Sequence, residues 1–120
     1  MRGYLYFVDC FDCRHIITGD ALRAAAVQAV NDAGMQEANR IYGFFPEHLH
    51  KTEHGESVLT LIIPLEQSHL CIHTWPAQRL VSIDLYTCGD RQDAKRAVNN
   101  LIALCEPKRQ RFTGFKRGEW

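Results

Sequence analysis

Apolar and polar positions change period from block to block along the 120 residues, and each block predicts an element. Gly3 to Cys10 is rich in Tyr, Phe, Leu and Val, which suit a pleated, half-buried surface, so it reads as a strand. Leu22, Ala26, Ala29 and Val30 then fall on one helical face, behind Asp20 as a candidate N-cap and ahead of Gly34 as a C-terminal stop. Arg40 to Phe45 reads as a second strand closed by Pro46, and Glu47 to Glu56 as a polar, histidine-rich loop. Ser57 to Leu65 is apolar almost without a break, which predicts a third strand buried on both faces.

Leu80 to Tyr86 alternates: Val81, Ile83 and Leu85 point one way, and Ser82, Asp84 and Tyr86 the other. Asp90 is placed to cap a second helix whose apolar stripe is Ala94, Ala97, Val98, Leu101 and Leu104 or Cys105, with Pro107 as its stop. Arg109 to Phe115 reads as a last strand. No internal linker interrupts residues 1–120, so they form one domain. The expected fold class is α+β: a two-layer sandwich, an antiparallel sheet with two helices on one face.

Composition narrows the function classes. Hydrophobic residues make up 46% and charged residues 23%, which suits a packed core. Lys plus Arg equals Asp plus Glu at 14 each, so no general attraction to nucleic acid or membrane is expected. The basic tail, Lys108, Arg109, Arg111, Lys116 and Arg117, reads as a solvated edge. No apolar run approaches the ~20 residues of a membrane helix. The N-terminus lacks a secretory pattern, so the expected location is cytoplasmic and the five cysteines read as thiols.

The segment SHLCIHTWP, residues 68–76, lies between two central strands and concentrates Ser68, Cys71 and His73. With Cys88 it forms the candidate chemistry, although spacing alone proves little. Serine and histidine five apart recur by chance, and a lone cysteine commonly packs as a small hydrophobe. No phosphate loop, dinucleotide fingerprint or G-x-S-x-G elbow is present. His48, His50 and His54 read as solvated loop residues, and Cys10 and Cys13 as thiols at a strand end, so no metal is expected.

Two blocks, LEQSHLCIHTWP and LVSIDLYTCGD, resemble the small prokaryotic S-adenosylmethionine decarboxylases, self-cleaving pyruvoyl enzymes. The resemblance implies cleavage between Gln67 and Ser68 into a β chain (1–67) and an α chain (68–120), with Ser68 as precursor of a covalent pyruvoyl cofactor. It assigns His73 to removal of the Ser68 α-proton, and Cys88 to processing and to reprotonation of the product carbon. Thr60 stands eight residues before Ser68, where the family uses a hydroxyl that is usually serine. Gln67 stands where the family usually has glutamate, and Ala77 where glutamate follows Trp-Pro.

The implied function is decarboxylation of S-adenosylmethionine in polyamine (spermidine) synthesis. Arginine or ornithine decarboxylation is the alternative, as is a non-processing member acting as a binding or regulatory protein. A sulfonium and adenine call for aromatic faces, for which Tyr4, Tyr6, Phe7, Phe44 and Phe45 are candidates. Arginine or ornithine would call for a distal carboxylate, such as Asp9, Asp12, Glu47 or Glu53. The family also implies a homodimer whose sheets face each other, with sites near the interface.

Overall fold

The period-two burial of Val81, Ile83 and Leu85 makes the strand β5, Leu80–Thr87, the middle of a continuous sheet. The computed structural model describes residues 2–16, 19–35, 45–51 and 57–118. Its other elements are β1 (Arg2–Phe11), α1 (Gly19–Asp32), β2 (Phe45–Lys51), β3 (Ser57–Leu65), β4 (Ser68–Trp75), α2 (Arg91–Cys105) and β6 (Arg109–Gly118), with a 3-10 turn at Pro76–Gln78. The strands form one six-stranded sheet in the order β2-β3-β4-β5-β1-β6, and each neighbouring pair is antiparallel. This is the expected two-layer α+β architecture.

One sheet face builds the core with the helices. Tyr6, Val8, Leu61, Ile63, Leu70, Ile72, Ile83 and Leu85 pack there against Leu22, Ala26 and Val30 of α1 and Ala94, Ala97, Val98 and Leu101 of α2. Gly34 ends α1 at φ 96°, a conformation costly for a residue with a Cβ, and Met35 N–H closes back onto Val30 O at 2.9 Å. Asp90 caps α2, accepting from the backbone N–H groups of Gln92 and Asp93. The backbone of α1 starts at Gly19, so Asp20 lies within the first turn rather than at the cap. Cys10, Cys13 and Cys105 are buried at one end of this layer as free thiols. Burial and the neighbouring Cys105 push the Cys13 thiol up to about 12, which makes it inert.

Three further expectations change. SHLCIHTW is not a connection but the strand β4. Its buried residues Leu70, Ile72 and Thr74 alternate with His69, Cys71 and His73, and the reactive residues hid that period. Of the expected loop 47–56, residues 47–51 belong to the strand β2 and residues 52–56 lie outside the described residues; β2 is an edge strand, and an edge strand tolerates polar sequence because one side of its backbone meets solvent. Of the expected strand Arg40–Phe45, residues 40–44 lie outside the described residues. β3 is covered along one face, at Leu59, Leu61 and Ile63, but only in part along the other, where Val58 is buried and Ile62 is 38% exposed. Among the described residues no helix is long and apolar enough to cross a membrane.

Candidate active site

The β3–β4 hairpin turns on Glu66 and Gln67, with Leu65 opposite Ser68 in register. So tight a turn favours positive φ, which Asn-Gly supplies cheaply. Here Gln67 takes φ 58° instead, in the left-handed region, at a cost of about 1–2 kcal/mol for a non-glycine residue. The strained residue is the one whose carbonyl precedes Ser68.

That carbonyl is held. Cys88 N–H donates to Gln67 O at 2.8 Å, because β5 ends beside the hairpin and Thr87 is the register partner of Ser68. A donor aimed at a carbonyl oxygen stabilises the negative charge that develops when the carbon is attacked. Ser68 Oγ donates to Thr87 Oγ1 at 2.7 Å, and Gly89 N–H donates to the same oxygen at 2.8 Å. Glu66, Gln67, Ser68, Gly89, Asp90 and Asp93 border a polar cleft of about 300 Å³ at this end of the sheet.

The Cys88 side chain is exposed, and its sulfur lies 3.2 Å from the Tyr86 hydroxyl. This hydrogen bond pushes the Tyr86 phenol above its ordinary range. Tyr86 stacks on His69 at 5.4 Å and carries the Arg117 guanidinium 5.2 Å from its ring centre. Gly3 makes room for Tyr86, since a Cβ there would lie 2.8 Å from the hydroxyl.

A second polar group occupies the sheet face away from the helices. Thr60 and His73 are register partners, and Thr60 Oγ1 lies 3.0 Å from His73 Nδ1. Cys71 Sγ lies 3.3 Å from the other ring nitrogen of His73. Ser82 Oγ donates to Asp9 Oδ1 at 3.0 Å. Burial raises the Asp84 carboxyl; His73 draws it back and Asp9 pushes it further up. Burial, reinforced by Asp84, also raises the Cys71 thiol, so Cys71 meets His73 as a neutral thiol.

The fold therefore divides the predicted constellation. It brings Gln67, Ser68 and Cys88 together at the hairpin, and Thr60 and His73 together on the open face. Within one chain it does not join the two groups. Ser68 and His73 stand five residues apart on an extended strand, about 16 Å, and their side chains leave opposite faces. Sequence reasoning missed Thr87 and Tyr86, whose relevance comes from strand register. It also missed the Cys71–His73 contact, which i, i+2 spacing shows once residues 68–75 are known to be a strand.

Of the substrate-contact candidates, Phe7 lies on the open face, 37% exposed and edge-on to Phe115 at 5.8 Å. Tyr4 and Tyr6 lie on the helix side, where the Arg91 guanidinium sits 4.7 Å above the Tyr4 ring. Asp12 lies 3.9 Å from Arg109 in an ion pair. Phe44, Glu53 and His54, and the side chains of Phe45, Glu47, His48 and His50, lie outside the described residues. Among the described residues no group of three or more His, Cys, Asp or Glu is arranged to hold a metal.

Residues 4–118 match the family model described as S-adenosylmethionine decarboxylase. A protein named S-adenosylmethionine decarboxylase proenzyme from Picrophilus torridus is 32% identical over 108 residues, covering 89% of this chain and 75% of the relative. Another of that name, from a Sulfurihydrogenibium species, is 34% identical over 106 residues, covering 88% and 70%. The crystal structure of the adenosylmethionine decarboxylase from Aquifex aeolicus superposes with a TM-score of 0.78 at 27% identity, covering 98% of this chain and 92% of that one. The class these relatives define is that of the carboxy-lyases. The family match runs nearly end to end, and the chain belongs to the S-adenosylmethionine decarboxylase family.

Proposed function

We propose that this chain is the proenzyme of a pyruvoyl-dependent S-adenosylmethionine decarboxylase serving polyamine (spermidine) synthesis, and that it cleaves itself between Gln67 and Ser68. The observation that carries this reading is the Gln67 carbonyl. It sits on a left-handed residue, receives the Cys88 N–H, and is followed by a serine hydroxyl. Attack by Ser68 Oγ on that carbon forms an ester and breaks the amide, and the hydroxyl proton ends on the Ser68 nitrogen. Removal of the Ser68 α-proton then expels Gln67 as a carboxylate. Water replaces the nitrogen, which leaves as ammonia, and Ser68 becomes a pyruvoyl terminus.

The residues present suit that group: a serine after a strained turn, a backbone donor to the carbonyl, and an exposed thiol nearby. The pyruvoyl carbonyl supplies an electron sink for decarboxylation. Return of a proton to product is assigned in this reading to Cys88, whose exposed thiol lies 3.2 Å from the Tyr86 hydroxyl, because a thiol can act as a general acid.

The separation of His73 from Ser68 points to a homodimer. We infer that two copies stack open face to open face, so that the partner's His73 takes the α-proton at each junction. The exposed Phe7 and Ile62, and the apolar character of β3 on both faces, support a covered sheet.

Denaturing mass spectrometry of the purified protein tests maturation. Two fragments meeting at 67/68 are expected; a single mass near the 13.8 kDa chain would leave a non-processing binding protein instead. Carbon dioxide release from S-adenosylmethionine, arginine and ornithine tests the substrate. Turnover of arginine or ornithine alone would keep the chemistry and overturn the substrate.

A further inference from the structure

We infer that Thr87 is a positioning residue for self-cleavage, its buried hydroxyl fixing the direction of the Ser68 O–H bond. This rests on the self-cleaving reading above. Thr87 is 1% exposed, one of two buried polar side chains among the described residues. The other, Thr74, leaves its hydroxyl without a partner, whereas Thr87 Oγ1 has two.

The two bonds differ in kind. Gly89 N–H can only donate, so it occupies one lone pair of Thr87 Oγ1. Ser68 Oγ donates to the same oxygen and fills the second. Thr87 is thereby held as an acceptor, and the Ser68 proton is drawn toward it. Among the described residues no donor then meets the Ser68 lone pairs, as an attacking oxygen requires.

The bookkeeping of the acyl shift explains why direction matters. The Oγ–C bond to Gln67 forms, the C–N bond to Ser68 breaks, and the proton leaves Oγ for the nitrogen. A hydroxyl free to rotate would spend part of its time presenting its proton to the carbonyl. The same backbone stretch holds both reactants, since Cys88 N–H fixes the Gln67 oxygen and Gly89 N–H fixes the residue that orients Ser68. Once Ser68 has become pyruvoyl its hydroxyl no longer exists, so this role ends with maturation.

A time course of freshly translated chain, followed by denaturing mass spectrometry, tests the inference with Thr87→Ser, Thr87→Val and Thr87→Ala. Carbonyl titration then gives turnover per pyruvoyl group. Thr87→Ser is expected to mature at close to the parental rate. The two hydroxyl-free variants are expected to mature about 10-fold more slowly, the scale of one lost hydrogen bond in a transition state. Their matured fractions are expected to turn over normally. Unchanged maturation in a folded hydroxyl-free variant overturns the assignment. So does a slowing that Thr87→Ser fails to avoid, or one matched by an equal loss of turnover per pyruvoyl, which marks a packing role. The melting temperature of the same substitutions in a Ser68→Ala chain separates misfolding from slow cleavage. If the parental chain itself stays whole, the self-cleaving reading fails first, a result distinct from these.

Discussion

A carboxylate in the middle of a sheet face carries a signature in pH. Burial is the first cause that lifts Asp84 above its usual 3.8, and Asp9 adds to it against the pull of His73. A folded-state pKa above the unfolded one means the folded chain holds the proton more tightly. The stability this contributes is complete below 3.8 and is lost as pH rises through the raised value. Asp84→Asn should therefore be more stable than the parent at neutral pH, with the gap closing on acidification toward 3.8; urea midpoints across that range check it. At this scale the sequence was informative about residue type and silent about partners. The motif named Ser68, His73 and Cys88, but nothing along the chain shows that Thr87 lies opposite Ser68 or that Asp9 and Asp84 share a face.

Elements with one clear period were legible. β5 alternates and α2 carries a capped stripe, so both were read from spacing, Asp90 included. The cap has a consequence for the site, because α2 starts just after Cys88 and Gly89, whose N–H groups hold Gln67 and Thr87. Asp90→Ala should cost about 1 kcal/mol of stability and slow maturation, whereas Asp90→Asn, which keeps the accepting oxygen, should lose little. Thermal melts beside a cleavage time course measure both effects. β4 was misread because its outward positions carry chemistry that looks like a loop. β2 was misread because a polar edge strand lacks the apolar alternation that signals its neighbours.

At the scale of the whole molecule, β3 is the informative failure. Its sequence calls for two buried faces, and the chain covers the second only in part, at Val58 and not at Ile62; the proposed homodimer would cover the rest. A site shared between copies makes a sharp prediction. Neither Ser68→Ala nor His73→Ala should mature alone, but mixed dimers should pair an intact Ser68 junction with the partner's intact His73. The His73→Ala chain, and only that chain, should then yield fragments ending at 67. Co-expression with distinguishable masses reads this directly, and no fragments in the mixture would place both residues of a site in one chain. Ile62→Asp should weaken the pairing and maturation together, read by sedimentation and mass spectrometry.

The hairpin between β3 and β4 has one further consequence. While the chain is whole, Leu59 to Leu65 find Ser68 to Thr74 across a two-residue turn, about the cheapest encounter a chain can offer. A cut at that turn leaves the finished sheet standing but removes the shortcut by which it was made. The two pieces, if ever separated, would have to find each other by diffusion and rebuild a strand pair with no tether. On this reading the protein can fold easily only once. Its persistence afterwards rests on how slowly the paired strands let go rather than on how readily they would return.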